Sequence, residues 1–149
     1  MSLKEDLMAD LKAAMKAKDK TRKDTITMVR AAIKQKEVDE KKDLSDDEVL
    51  SIISKQVKEK KNSIEDFAKG GRQDLIDATK AEMDILYGYL PKQLSEDELR
   101  DLVAETISRL DIHDKKDMGK VMKDLMPKVK GRADGKTINR LAQELLEEN

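Results

Sequence analysis

Apolar residues recur along this chain at intervals of three and four, the repeat of a helix with one buried face. Leu3, Leu7, Leu11 and Met15 form the first such line, with Met8 and Ala14 beside it. Ser2 stands before it as an N-cap, with Glu5 three residues later. A second line runs through Ile26, Val29 and Ile33, with Met28 and Ala32 adjacent, and either Asp19 or Thr21 is placed to cap it. It fades into Glu37 to Asp43, which reads as a solvated helix end and turn. Ser45-Asp46-Asp47-Glu48 is a capping box that opens a third helix, with Val49, Ile52, Ile53, Val57, Ile64 and Phe67 turned inward. Gly70-Gly71 ends it, because glycine readily takes the left-handed conformation that closes helices. A fourth helix places Leu75, Ile76, Thr79, Met83 and Leu86 on one face, is closed by Tyr87, Tyr89 and Leu90, and stops at Pro91.

The segment Leu90-Pro91-Lys92-Gln93-Leu94 is the expected domain boundary, and a second capping box, Ser95-Glu96-Asp97-Glu98, follows it. Three shorter helices are expected next. The first carries Leu99, Leu102, Val103, Ile107 and Leu110, the second Met118, Val121, Met122 and Leu125, and the third Ile138, Leu141, Ala142 and Leu145. Asp134 is the expected N-cap of the last. The pattern therefore predicts an all-α chain: an N-terminal antiparallel helical domain over residues 1–92 and a small C-terminal three-helix bundle over residues 93–149. A piece as small as the second is only marginally stable on its own core.

Composition supports helices over sheets. Charged residues make up 42% and aromatics 2%, and unbranched Lys, Glu, Leu, Met and Ala lose little rotamer freedom in a helix. The net charge is -1, so no bulk field draws the whole chain to nucleic acid or membrane. There is no cysteine, which removes disulfides, thiol chemistry and cysteine metal sites. The charged N-terminus carries no apolar leader and no run approaches a membrane span, so a cytoplasmic location is expected.

Little in the chain suggests a catalytic centre of its own. The single histidine, His113, lies in the polar turn Asp111-Ile112-His113-Asp114 with no second histidine or cysteine to share a metal. The acidic clusters Asp46-Asp47-Glu48 and Glu96-Asp97-Glu98 occupy first helical turns, where carboxylates complement the helix dipole. No serine sits in a nucleophile elbow, and neither GxxxxGK[ST] nor GxGxxG occurs. No cofactor and no metal are expected.

Charge is more informative where it is uneven. Between Lys115 and Arg140 stand nine basic residues (Lys115, Lys116, Lys120, Lys123, Lys128, Lys130, Arg132, Lys136 and Arg140) against three acidic ones, Asp117, Asp124 and Asp134. They gather around one loop and the start of the last helix, whose free N–H groups and positive dipole end suit a phosphate. Two readings stay open on charge alone: a nucleic-acid backbone held through its phosphates, or a helix C-cap at Gly131 and an N-cap at Asp134 with lysines favoured by the dipole. A second basic window, Lys12 to Lys42, is spread along two helices and reads as a solvated face, with a secondary nucleic-acid contact as the minority reading. With Phe67, Tyr87 and Tyr89 the only aromatics, base stacking on a single strand is not expected.

The run Gly119-Lys120-Val121-Met122-Lys123-Asp124-Leu125-Met126-Pro127-Lys128-Val129-Lys130-Gly131-Arg132-Ala133-Asp134-Gly135-Lys136 resembles the hallmark of the YqeY family. So do Gly70-Gly71-Arg72-Gln73-Asp74-Leu75 and Tyr89-Leu90-Pro91-Lys92-Gln93-Leu94, and the resemblance covers essentially the whole chain. That family is similar to the helical and tail regions of the B subunit of aspartyl/glutamyl-tRNA amidotransferase, whose tail is associated with holding the tRNA body. The resemblance implies tRNA binding by the C-terminal part. It points to Lys128, Lys130, Gly131, Arg132, Gly135 and Lys136 in the loop, Asn139 and Arg140 on the turn that follows, and Lys120 and Lys123 before it. The kinase-like catalytic portion of that subunit has no counterpart here, so the implied class of carbon–nitrogen ligase with glutamine as amido-N donor stands as an alternative. A third reading is an adaptor for an amidotransferase or aminoacyl-tRNA synthetase, docking through a groove near Met8, Met15 or Met28.

Overall fold

The computed structural model describes residues 2–148, the last by its backbone alone, and every regular element among them is helical. The chain divides into two compact units, Met1–Leu90 and Pro91–Asn149.

The first unit holds α1 (Leu3–Ala17), α2 (Lys20–Glu40), α3 (Asp46–Lys69) and α4 (Gln73–Tyr87). Ser2 caps α1 by accepting from the Glu5 amide at 3.2 Å, and Asp19, not Thr21, caps α2 by accepting from the Arg22 amide at 3.1 Å. The Ser45–Glu48 capping box is formed in both directions. Gly71, at φ 67, supplies the left-handed step after α3. Lys18 and Lys41 take the same conformation at the ends of α1 and α2, where no glycine was available to signal it.

Within this unit α1 packs along α2, α3 along α4, and α2 against both α3 and α4. Leu7, Ile26, Val29, Val49, Ile53 and Leu86 form its fully buried centre. The expected inward faces hold, with three corrections. Met15 is 59% exposed, because the turn at Lys18 follows within a few residues and no element covers its side. Ile64 and Phe67 are only half-buried near the far end of α3. Glu37 is not merely solvated: it pairs with Lys4 and accepts from the Leu44 amide at 2.8 Å, which pins the α2–α3 link and buries Leu44. The Lys4 ammonium, with that amide behind it, holds the Glu37 carboxyl below its ordinary range. The Tyr89 hydroxyl donates to Asp10 at 2.5 Å, and burial beside that carboxylate pushes the phenol well above its ordinary value.

The second unit contains α5 (Glu96–Arg109), α6 (Met118–Leu125) and α7 (Gly135–Glu148), which pack on one another. The Ser95–Glu98 capping box is also formed in both directions. A short 3₁₀ turn, Lys115–Asp117, leads into α6, and a second, Met126–Val129, tightens its exit. Pro127 lies in the second turn, where it lacks an N–H and its ring would clash with the carbonyl four residues back in a continuing α-helix. The core combines Leu99, Val103, Ile107, Met118, Val121, Leu125, Ile138, Leu141 and Ala142 with Ile112 and Val129 from the links. On α7 it is Leu146 that buries, while Leu145 is half-buried.

Candidate nucleic-acid interface

The hydrophobic stripe of α6 decides where its lysines point. Met118, Val121 and Leu125 face the core, so at about 100° per residue the opposite pole falls on Lys116, Gly119, Lys120 and Lys123. All four are exposed. Lys116 belongs to the 3₁₀ turn that enters the helix and extends the row by one turn. Lys120 has a weak partner, Asp117 at 3.5 Å, with the lysine side chain 70% exposed. Such a pair contributes roughly 0–1 kcal/mol and does not withhold the ammonium from a ligand. Among the described residues Lys116, Lys123 and Lys130 make no ion pair.

Several cations in and beside the basic window have carboxylate partners. Arg109 pairs with Asp124, which also accepts from Lys128 at 3.2 Å. The Arg109 guanidinium, helped by Lys128, holds the Asp124 carboxyl below its ordinary range. Arg140 binds Glu96 and, at 2.9 Å, Glu144. Lys115 binds Glu147. Asp124, Glu96, Glu144 and Glu147 therefore lie against cations on the flanks, while Asp117 is the carboxylate beside the outward row.

The loop after α6 is built by a strap from the start of the same unit. Gln93 donates to the Gly131 carbonyl at 2.6 Å, the Leu94 amide to the Arg132 carbonyl at 2.9 Å, and Arg132 Nε to the Lys92 carbonyl at 3.1 Å. Gly131 sits at φ 77, a conformation that favours glycine. Of the residues expected in the interface, Lys120 and Lys123 thus stand on the open face, and Lys130 is exposed in the loop that follows. Arg132 is half-buried and tethered to the strap.

The start of α7 is partly filled from within. Asp134 caps it by accepting from the Thr137 amide at 2.7 Å, which puts a carboxylate where a phosphate was expected. Gly135 is not a point of ligand approach. A Cβ there would meet Met122 and Met126 at ordinary van der Waals distances of 3.6 and 3.7 Å, so the position faces methionine side chains and not open space. Lys136 is exposed, and Asn139 accepts from Gln143 at 2.9 Å. Charge counting passed over Lys116 as a site residue; its spacing of four to Lys120 and seven to Lys123 was the signal that places the three on one side of the helix.

His113 is 80% exposed, with Nε2 2.7 Å from Asp111 Oδ1, as suits a loop residue. Among the described residues no group of three or more His, Asp or Glu is placed to hold a metal ion, and no helix is long and apolar enough to cross a membrane. In the first unit a groove of about 680 Å³ runs between α1 and α2, floored by Leu7, Leu11 and Ile33 and edged by Met8, Arg30 and Lys34. Met28, 58% exposed, lies outside it.

Fold and surface together define an all-helical chain whose small second unit carries a lysine-lined outward face. Its sequence matches the profile of the Yqey-like proteins over residues 4–146, and the chain belongs to that family. Among curated relatives, it is 34% identical to "Altered inheritance of mitochondria protein 41, mitochondrial" of Pyrenophora tritici-repentis, over 94% of this chain and 78% of the relative. Proteins of the same name in Lachancea thermotolerans and Saccharomyces cerevisiae are 42% and 39% identical over 57% and 56% of the chain, matches that span 46% of each relative. These relatives are named as mitochondrial, which overturns the expectation of a cytoplasmic location. That expectation rested on the lack of an apolar leader, a test for secretion; mitochondrial targeting segments are amphipathic and Arg-rich instead.

Proposed function

We propose that this chain is a tRNA-binding accessory protein related to the non-catalytic tail of the tRNA-dependent amidotransferase B subunit. In this reading residues 1–92 form an antiparallel helical domain, and residues 93–149 form a three-helix tail domain that grips the RNA backbone. The observation that carries it is the outward row Lys116, Lys120 and Lys123, with Lys130 beside it in sequence after the helix. All four face solvent, and among the described residues Lys116, Lys123 and Lys130 have no ion-pair partner and Lys120 only the weak one at Asp117. Such a face holds phosphates and reads little sequence.

A titration with bulk tRNA at about 50 and 200 mM salt tests the reading, because phosphate contacts release counterions and bind more weakly as salt rises. Wild type is expected to bind in a salt-dependent way. Lys123→Glu and Lys130→Glu are expected to weaken all tRNAs alike. Absence of binding at both salts, or unchanged affinity in both variants, ends the proposal.

The α1–α2 groove supports a second reading, an adaptor that docks a helix of a tRNA-handling enzyme over Met8 and the buried leucines beneath it. Capture of an amidotransferase or an aminoacyl-tRNA synthetase that survives high salt, with no RNA bound, would favour it. A third reading, a working component of a carbon–nitrogen ligase with glutamine as amido-N donor, rests on the family resemblance alone. It requires that the protein support or stimulate ATP- and glutamine-dependent amidation of mischarged tRNA.

A further inference from the structure

Gly119 stands on the exposed side of α6 for no reason that the chain itself supplies. A Cβ built on it would meet nothing within 4 Å, so no packing demands its absence. Its φ is not in the left-handed region, where only Gly71 and Gly131 are found among the glycines. It is helical, and in a helix glycine is less favourable than alanine by up to about 1 kcal/mol. The cost falls on an eight-residue helix whose N-cap residue makes no side-chain capping bond. Gly131 has a local explanation in its positive φ; Gly119 has none.

Its surroundings supply one. Lys116 is three residues before it, Lys120 is next to it and Lys123 is four after it, all exposed. Residues three and four apart on a helix are neighbours on its surface. The glycine is therefore a bare patch of peptide backbone at the edge of the lysine row, with Lys116 and Lys123 as its surface neighbours and the Asp117–Lys120 pair close by. A neutral side chain there would stand in the way of a ligand chain approaching the row.

We propose that Gly119 is the point of closest approach of the ligand. The sugar–phosphate backbone of a structured RNA lies directly against α6 at this glycine, with Lys116, Lys120 and Lys123 closing on its phosphates. This deepens the tRNA-binding reading and rests on it. Three lysines on a helix with an ordinary side chain beside them would hold a phosphate at the length of their stems. The glycine allows the chain of the ligand to come to van der Waals distance of the helix, where several phosphates meet several ammonium groups at once.

The test uses the full chain, Gly119→Ala, Gly119→Gln and the control Lys123→Glu, titrated with bulk tRNA at one salt concentration. Amide hydrogen exchange is measured on the same samples. Alanine and glutamine are better helix formers than glycine, so protection in α6 is expected to hold or rise. Affinity is expected to fall slightly with alanine and by about tenfold or more with glutamine, as a displaced backbone gives up phosphate contacts. Wild-type affinity in Gly119→Gln, with Lys123→Glu weakened, overturns the inference and leaves the tRNA reading standing. No binding by wild type overturns both. If Gly119→Gln loses affinity and α6 protection together, Gly119→Ala decides: weakened binding with protection retained supports the inference, and unchanged binding overturns it.

Discussion

Arg132 and Lys130 are two cations on one basic loop, and the structure gives them different work. Arg132 Nε donates to the Lys92 carbonyl at 3.1 Å, and its own carbonyl accepts from the Leu94 amide. Lys130 is exposed and unpaired among the described residues. Arg132→Ala deletes a charge-assisted hydrogen bond that joins residues 40 apart in sequence. A hydrogen bond to a charged group contributes about 1.5–3 kcal/mol when well formed. The Arg132 contact is near the surface, so about 1 kcal/mol is the appropriate figure, a factor of about five in the opening equilibrium. Lys130→Ala, by contrast, stays within about 0.5 kcal/mol, as surface substitutions usually do. Amide exchange on the full-length protein reads both, followed in peptides from α5 and α7. Protection is expected to fall about fivefold in Arg132→Ala and less than about twofold in Lys130→Ala. Equal protection in the two variants would refute the assignment of Arg132 to the strap. It would also restore it as a plain phosphate ligand, whose reversal affects RNA alone.

Two further outcomes follow from burial and from the caps. Leu141 is fully buried in the smaller unit, and Leu141→Ala is expected to cost about 2–5 kcal/mol, enough to abolish most slow exchange in α5 and α7; protection within about threefold of wild type would contradict it. Glu48 is held at about 2, against an ordinary value of 4.5, by its hydrogen bond to Lys42 and by the Ser45 amide. A folded value below the unfolded one means that its stabilising contribution is complete above the unfolded value and is lost as pH falls towards the folded value. Thermal melts at about pH 5 and pH 3 are therefore expected to separate wild type from Glu48→Gln more widely at the higher pH, and an equal gap at both would refute the linkage.

What the sequence made legible was local. The two capping boxes, Ser45–Glu48 and Ser95–Glu98, need only partners three residues apart, and both form as read. The same holds for the Ser2 and Asp134 caps, while the cap of α2, open between Asp19 and Thr21, is Asp19. What stayed hidden depends on which neighbour covers a position. Met15 continues an apolar line but has nothing over it, and Ile112 and Val129 bury from links that helical spacing does not describe. The basic loop shows the same divide more sharply. Its residues were legible, but Arg140 meets Glu96 from 44 residues away and Arg132 meets Lys92 from 40, and neither pairing leaves a trace in local composition. Lys116 and Gly119 were in view, yet their place on the outward side emerges only once the buried stripe of α6 fixes the opposite pole.

The placement of charge, rather than its total, also sets how steeply RNA binding should depend on salt. The chain carries a net charge of -1, so its long-range field offers little steering. Attraction has to come from contacts made at short range. If the face consists of Lys116, Lys120, Lys123 and Lys130, it neutralises at most four phosphates. At about 0.9 per phosphate on a duplex, the slope of log affinity against log salt should be no steeper than about -4. Removing one lysine should lower its magnitude by about 1. Arg140, tied to Glu96 and Glu144, should leave the slope unchanged when neutralised. A wild-type slope near -8 would require as many phosphate contacts again, and the Lys12 to Lys42 face of the first unit is one basic surface to test for them by charge reversal. The slope thus decides whether the four lysines suffice to hold RNA.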